Sequence, residues 1–205
     1  MTPILLIDGR SGSGKTELAS RLARETGAQL VRMDSLYPGW GGLDGGSALV
    51  TELLATGRWQ RWDWATSTHA EWHNVDLARP LIVEGCGALS AANRALASHG
   101  IWITLDAATR KRRALARDGD AYAPHWDEWA AQEEAFIARE NPAALADEIV
   151  DGVNASAPES AAPASTGPGA TPDSTAPEST APATSTRPDR FARWRALLDP
   201  ARVEQ

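Results

Sequence analysis

Gly9-Arg10-Ser11-Gly12-Ser13-Gly14-Lys15-Thr16 carries the spacing GxxxxGK[ST], the Walker A pattern of a phosphate-binding loop. The apolar run Pro3-Ile4-Leu5-Leu6-Ile7 precedes it, and Glu17-Leu18-Ala19-Ser20-Arg21-Leu22-Ala23 follows with helical spacing. The motif therefore sits where a buried strand turns into an amphipathic helix. There the glycines let the backbone wrap an anion, and successive N–H groups and the helix N-terminus face its charge. On this reading Gly9, Ser11, Gly12, Ser13, Gly14, Lys15 and Thr16 hold the phosphates of a nucleotide. Lys15 reaches the β and γ phosphates and Thr16 ligates Mg²⁺.

The rest of the composition narrows the class. A chain of 205 residues has room for one α/β domain and a tail. Its net charge of -7, with no dense Lys/Arg stripe, argues against a nucleic-acid partner. The single Cys86 forms no internal disulfide and no Cys/His set has zinc spacing, so a reducing cytoplasm is the expected setting. No run reaches the roughly 18 to 20 apolar residues of a membrane span, and the first apolar run lacks the flanks of a signal peptide.

Taken in order, the first helix should end near Gly27, and Ala28 to Met33 reads as a second strand that delivers Asp34 at its carboxyl end. In open parallel sheets ligands bind at that edge, so Asp34 faces the phosphate loop or else caps its own turn. Pro38 to Gly46 is glycine-rich and reads as a loop, with a short helix from Ser47 to about Thr56. Trp59, Trp62, Trp64 and Trp72 then crowd one segment of a chain with nine tryptophans; they either pack the fold or stack on a planar base. Asp63 between two of them is placed to fix a polar ligand edge. His69 and His73, spaced i, i+4, lack a third ligand for a metal.

Pro80 to Gly85 is a buried strand ending in Glu84, whose charge needs a cation: Mg²⁺ held through water, or an arginine. A helix around Ala91 to Ser98 and the strand Ile101 to Leu105 follow. Arg110, Arg113 and Arg117, at i, i+3, i+7, share one side of the next helix, beside Asp118-Gly119-Asp120; such a face suits a lid, over about 110–125, that lowers arginines onto a phosphoryl group. Trp126 to about Glu140 is a helix and Ala146 to Val150 a short strand. From about 154 to 186 the chain is nearly all Ala, Pro, Ser, Thr and Gly, a composition that cannot offset its ordering entropy. It is expected to be a disordered linker spanning on the order of 30 Å. Arg190 to Leu198, within a closing segment 187–205, has helical spacing with an apolar side.

These motifs resemble the uridine kinase group of P-loop kinases, from Ile4 to about Val150. Asp34-Ser35-Leu36-Tyr37 is similar to the group's D-S-F-Y, Leu43-Asp44-Gly45-Gly46-Ser47-Ala48-Leu49 to F-D-H-P-D-A-F, and Trp62-Asp63-Trp64 to Y-D-F. Val83-Glu84-Gly85 matches its E-G pair, and Thr109 to Asp118 its arginine-rich lid helix. The resemblance implies a three-layer α/β/α domain over 1–153 with a mostly five-stranded parallel sheet. It implies Asp34 as base, Tyr37, Asp44, Trp62, Asp63 and Trp64 around a nucleoside-like acceptor, and Thr16, with Glu84 and Asp34 through water, around Mg²⁺. The sequence departs from the group where Ser67 replaces the histidine after Y-D-F and Gly45-Gly46-Ser47 replaces His-Pro-Asp.

The expected activity is transfer of the γ-phosphoryl of MgATP to an acceptor hydroxyl. Lys15, Asp34, Arg110, Arg113 and Arg117 are the catalytic candidates, and a small-molecule acceptor is the partner. Two alternatives stand beside it. A nucleoside monophosphate kinase would line its acceptor site with arginines such as Arg58 and Arg61. An ATP-dependent switch would phosphorylate nothing. No [NT]-K-x-D guanine-reading sequence points to a GTPase.

Overall fold

A computed structural model describes residues 2–155 and 192–199. Five strands, β1 (Ile4–Gly9), β2 (Gln29–Arg32), β5 (Leu81–Glu84), β6 (His99–Thr104) and β7 (Glu148–Asp151), pair in the order β2-β5-β1-β6-β7. Every pairing is parallel. The central β1 is buried on both faces: Leu5 and Ile7 enter one hydrophobic core, Leu6 the other. Helices cover both sides, giving the three layers. The register sets Ile7 and Arg32 opposite Glu84, and Asp8 opposite Trp102, so the strands end together at one edge.

Helix α1 (Lys15–Thr26) follows the phosphate loop and buries Leu18, Ala19 and Leu22; it stops at Gly27, whose φ of 70° suits a left-handed cap. Helix α2 (Leu43–Thr56) begins four residues earlier than its glycines suggest. Gly45 and Gly46 lie inside its first turn because that turn packs on Pro38 and Tyr37. A Cβ on Gly46 would sit 2.5 Å from the Tyr37 ring. The tryptophan-rich segment is an antiparallel hairpin, β3 (Arg58–Asp63) and β4 (Thr68–Asn74), bulged between Gln60 and Trp62. Trp59 stacks on His73 across it at 4.5 Å.

Helix α3 (Ala91–Leu96) is capped by the Ser90 hydroxyl, which accepts from the Asn93 N–H. Helix α4 (Ala107–Tyr122) is capped by Asp106 and runs on past Asp118-Gly119-Asp120, broken only at Gly119 (φ 52°, ψ -134°). Helix α5 (Trp126–Glu140) follows a short 3-10 turn; α6 (Pro142–Leu145) leads into β7, and α7 (Gly152–Ala155) follows it. Helix α8 (Ala192–Leu197) docks on the α1 side: Trp194 and Leu198 are buried with Leu18 and Leu22. Trp194 Nε1 donates to Glu148 at 3.0 Å, and Arg195 pairs with Glu25 at 2.7 Å. The expected linker, apart from residues 154 and 155, lies outside the described residues. Among the described residues no helix is long and apolar enough to cross a membrane.

Candidate active site

The phosphate loop is shaped by positive-φ glycines, Gly9 at 149°, Gly12 at 80° and Gly14 at 100°. Its back is packed tightly. A Cβ on Gly12 would lie 2.9 Å from Arg110 Cα and closer still to the Arg110 carbonyl, and one on Gly152 would crowd the Ser13 carbonyl. Lys15 is buried, its Nζ donating to Arg10 O at 3.1 Å and lying 3.5 Å from Cys86 Sγ. Burial works against its charge, but Cys86, Glu84, Glu133 and Asp8 around it outweigh that and hold its pKa above the usual value.

Two buried carboxylates brace the loop. Asp8, at the end of β1, accepts N–H bonds from Gly9 at 2.6 Å, Gly87 at 3.1 Å and Leu89 at 2.8 Å, tying the segment after β5 to the loop. Burial outweighs those bonds and pushes its carboxyl up to about 6. Glu133 of α5 accepts from the Ser11 N–H at 2.7 Å and from Arg10 Nε at 2.8 Å. Burial raises its pKa, but Arg10 and the Ser11 N–H more than offset this and it lies below the usual range.

Two cavities, each of about 530 Å³, open on the loop and share Gly12, Lys15, Thr16 and Arg117. One extends along α1 and α4 past Ser20, Arg24 and Arg113. The other holds Asp34, Glu84 and Arg32 near the loop, with Tyr37, Trp40, Trp64, Tyr122 and Trp129 beyond. Indoles and phenols give that second chamber flat apolar walls suited to a planar molecule. Trp40 stacks on Tyr122 at 5.5 Å and meets Trp64 at 4.9 Å. Trp64 Nε1 donates to the Asp34 carbonyl at 2.7 Å, joining the hairpin tip to the turn that carries Asp34.

Glu84 is 2% exposed, and its Oε1 has no hydrogen-bond partner; the nearest cation is Arg32 Nε at 3.9 Å. Burial pushes its carboxyl up, Lys15 opposes that, Asp34 adds to it, and the Thr16 hydroxyl and Arg32 lower it. An orphaned carboxylate oxygen near the Thr16 hydroxyl and Asp34 fits a hard cation that keeps most of its ligands as water and phosphate. Among the described residues no group of three His, Cys, Asp or Glu could hold a metal unaided.

The remaining expected residues divide. Tyr37 is buried in the second cavity's wall, its hydroxyl donating to Cys86 O at 2.8 Å; burial lifts its pKa well above the usual value. Arg113 and Arg117 line cavities, and Arg117 is held by Asp118 at 2.6 Å. Arg110 lines neither; it is 5% exposed and donates to Leu105 O at 3.1 Å and Ser11 O at 3.2 Å. Asp44 is exposed and paired with Arg139 at 2.7 Å. Trp62 packs edge-on against His69 at 5.2 Å, and Asp63 caps the hairpin turn by accepting from the Ala65 N–H at 2.9 Å. Of Trp62-Asp63-Trp64, Trp64 alone reaches the cavity. Asp8, Trp40, Tyr122, Trp129 and Glu133 join the site without a local motif to announce them.

No protein-family model matches the chain, and no curated protein matches it. Solved structures do. A structure described as a possible uridine kinase from Bacillus stearothermophilus is 19% identical with a TM-score of 0.51, over 73% of this chain and 89% of that one. A shikimate kinase from Acinetobacter baumannii (17% identical, TM-score 0.44, 73% and 83% covered) and a gluconokinase from Sinorhizobium meliloti (16%, 0.43, 73% and 81%) also match. Parallel sheet, phosphate loop and the first of these matches agree that the chain has the fold of the P-loop kinases.

Proposed function

We propose that this protein is an ATP-dependent kinase that moves the γ-phosphoryl group of MgATP to a hydroxyl of an uncharged, nucleoside-like acceptor. The observation that carries this is the pair of cavities meeting at Lys15 and Thr16, one beside α1, the other walled by aromatic rings and holding Asp34. A nucleotide switch has no need of the second chamber. MgATP supplies the transferable group and, through its metal, neutralises charge on it. The loop amides and Lys15 would hold the phosphates, with Thr16, Glu84 and Asp34 around the metal. Asp34 would accept the proton of the acceptor hydroxyl, Trp40 and Trp64 would hold the acceptor's flat face, and Arg117 stands where both chambers meet. Positioning and charge neutralisation would supply most of the rate, because a loose phosphoryl transition state asks little of a base.

The acceptor's lack of its own phosphate rests on where the arginines are. Arg58 lies over the Trp72 ring at 4.9 Å and Arg61 is paired with Glu71 at 2.7 Å, both outside the cavities. Arg117 and Arg32 both face carboxylates. A screen of nucleosides, their monophosphates, sugars and vitamins with MgATP, read as phosphorylated product, tests the proposal. Lys15→Ala should abolish turnover. Asp34→Asn should lower kcat and leave MgATP affinity nearly intact; wild-type turnover in Asp34→Asn refutes the role given to Asp34.

A further inference from the structure

We infer that Glu133 is a positioning residue for the phosphate loop and that, through it, α5 sets the spacing between the loop and the aromatic wall of the second cavity. The inference builds on the kinase reading above. Glu133 is 3% exposed and lines neither large cavity, so it works through the groups it touches. They are the Ser11 N–H, the Arg10 side chain and the Cys86 thiol, which donates to Oε1 at 3.3 Å. The Arg10–Ser11 peptide is pinned at its N–H by Glu133 Oε1 (2.7 Å) and at its carbonyl by Lys15 Nζ (3.1 Å). The Arg10 side chain closes the clasp on Glu133 Oε2 at 2.8 Å. If the carboxylate is removed, the peptide is held only on its carbonyl side, by Lys15 Nζ and by the Ser13 N–H at 3.1 Å, and the unpaired Ser11 amide can shift relative to them. A buried charge-assisted bond to a backbone N–H is strong, and its loss leaves a desolvated donor.

The same helix also builds the acceptor wall. Trp129, one turn before Glu133, lines the second cavity, and Gln132 Nε2 donates to the Trp40 carbonyl at 2.8 Å. Three neighbouring positions on one rigid element thus hold the donor loop and two rings of the acceptor chamber. Helix geometry fixes their separation, at about 1.5 Å of rise per residue.

Glu133→Gln keeps size and one acceptor oxygen but loses the charge; Glu133→Ala loses both. Calorimetry with MgATP and with MgADP, thermal melts, and hydrogen exchange at the Ser11 amide form the test. Folded Glu133→Gln should bind MgATP about tenfold more weakly and Glu133→Ala on the order of 10²-fold, with the conservative variant recovering part of the loss. Ser11 exchange should accelerate in both. Variants that lose melting temperature but bind MgATP as wild type does would overturn the inference. If wild type itself binds neither nucleotide, the kinase reading falls, and Ser11 exchange still decides: unchanged exchange in Glu133→Gln refutes the brace. Where Glu133→Ala fails to fold, Glu133→Gln carries the test.

Discussion

Gly12→Ala tests whether the contact between the phosphate loop and α4 shapes the nucleotide site. Gly12 has φ 80°, and a Cβ there would meet Arg110 Cα at 2.9 Å, inside the 3.4 Å where ordinary contact begins, with the Arg110 carbonyl nearer still. These are backbone atoms at the start of a helix, so no side chain can swing aside. Either α4 or the loop has to withdraw on the order of 1 Å, a displacement that costs about 10²-fold where groups must be aligned. The variant also bears the cost of a side chain in left-handed backbone, about 1–2 kcal/mol. Gly27→Ala separates the two effects. Gly27 has nearly the same φ, 70°, but nothing within 4 Å of the added carbon, and it lies at the far end of α1. Both variants should lose about 1–2 kcal/mol in urea denaturation, Gly12→Ala somewhat more. Calorimetry with MgATP should find Gly27→Ala within about twofold of wild type and Gly12→Ala weaker by about 10²-fold. If the two bind MgATP equally well, the loop does not depend on its packing against Arg110 and the reasoning fails.

Two further outcomes follow from buried groups. Because the Asp8 carboxyl is pushed up to about 6, the stability it lends is present below about pH 4 and lost as pH rises through about 6. The stability of Asp8→Asn relative to wild type should therefore improve by about 2–3 kcal/mol between acid and neutral pH; a flat difference in urea melts across that range contradicts the assignment. Trp194→Ala should cost about 3 kcal/mol, limited by the docking energy of α8, because the helix can leave the α1 surface as a unit once its anchor is gone. Truncation after Ala155 should cost as much or more, and a loss under about 1 kcal/mol for Trp194→Ala would show that this anchor holds little.

Residue order alone dictates the local chemistry of this chain. Gly9 to Thr16 permits one backbone course between a strand and a helix, and the apolar runs ending at Asp34 and Glu84 were long enough to be buried parallel strands. Once those strands are parallel, their carboxyl ends must share an edge, so Lys15, Asp34 and Glu84 meet in one place. The helix over Trp126 to Glu140 was legible from its periodicity and its end, but its function was not. Tertiary structure alone decided that Trp129 faces a cavity and Glu133 the loop, since contacts between α5 and Ser11 span more than half the chain and no spacing rule connects them. It likewise put Trp64 at the cavity and left Trp62 and Asp63 in the hairpin, because the bulge and tight turn of β3 and β4 set which rings point inward. Gly45 and Gly46 read as loop residues because glycine favours neither helix nor strand. Only the close approach of Pro38 to Gly45 and of the Tyr37 ring to Gly46 explains why a helix begins there without side chains.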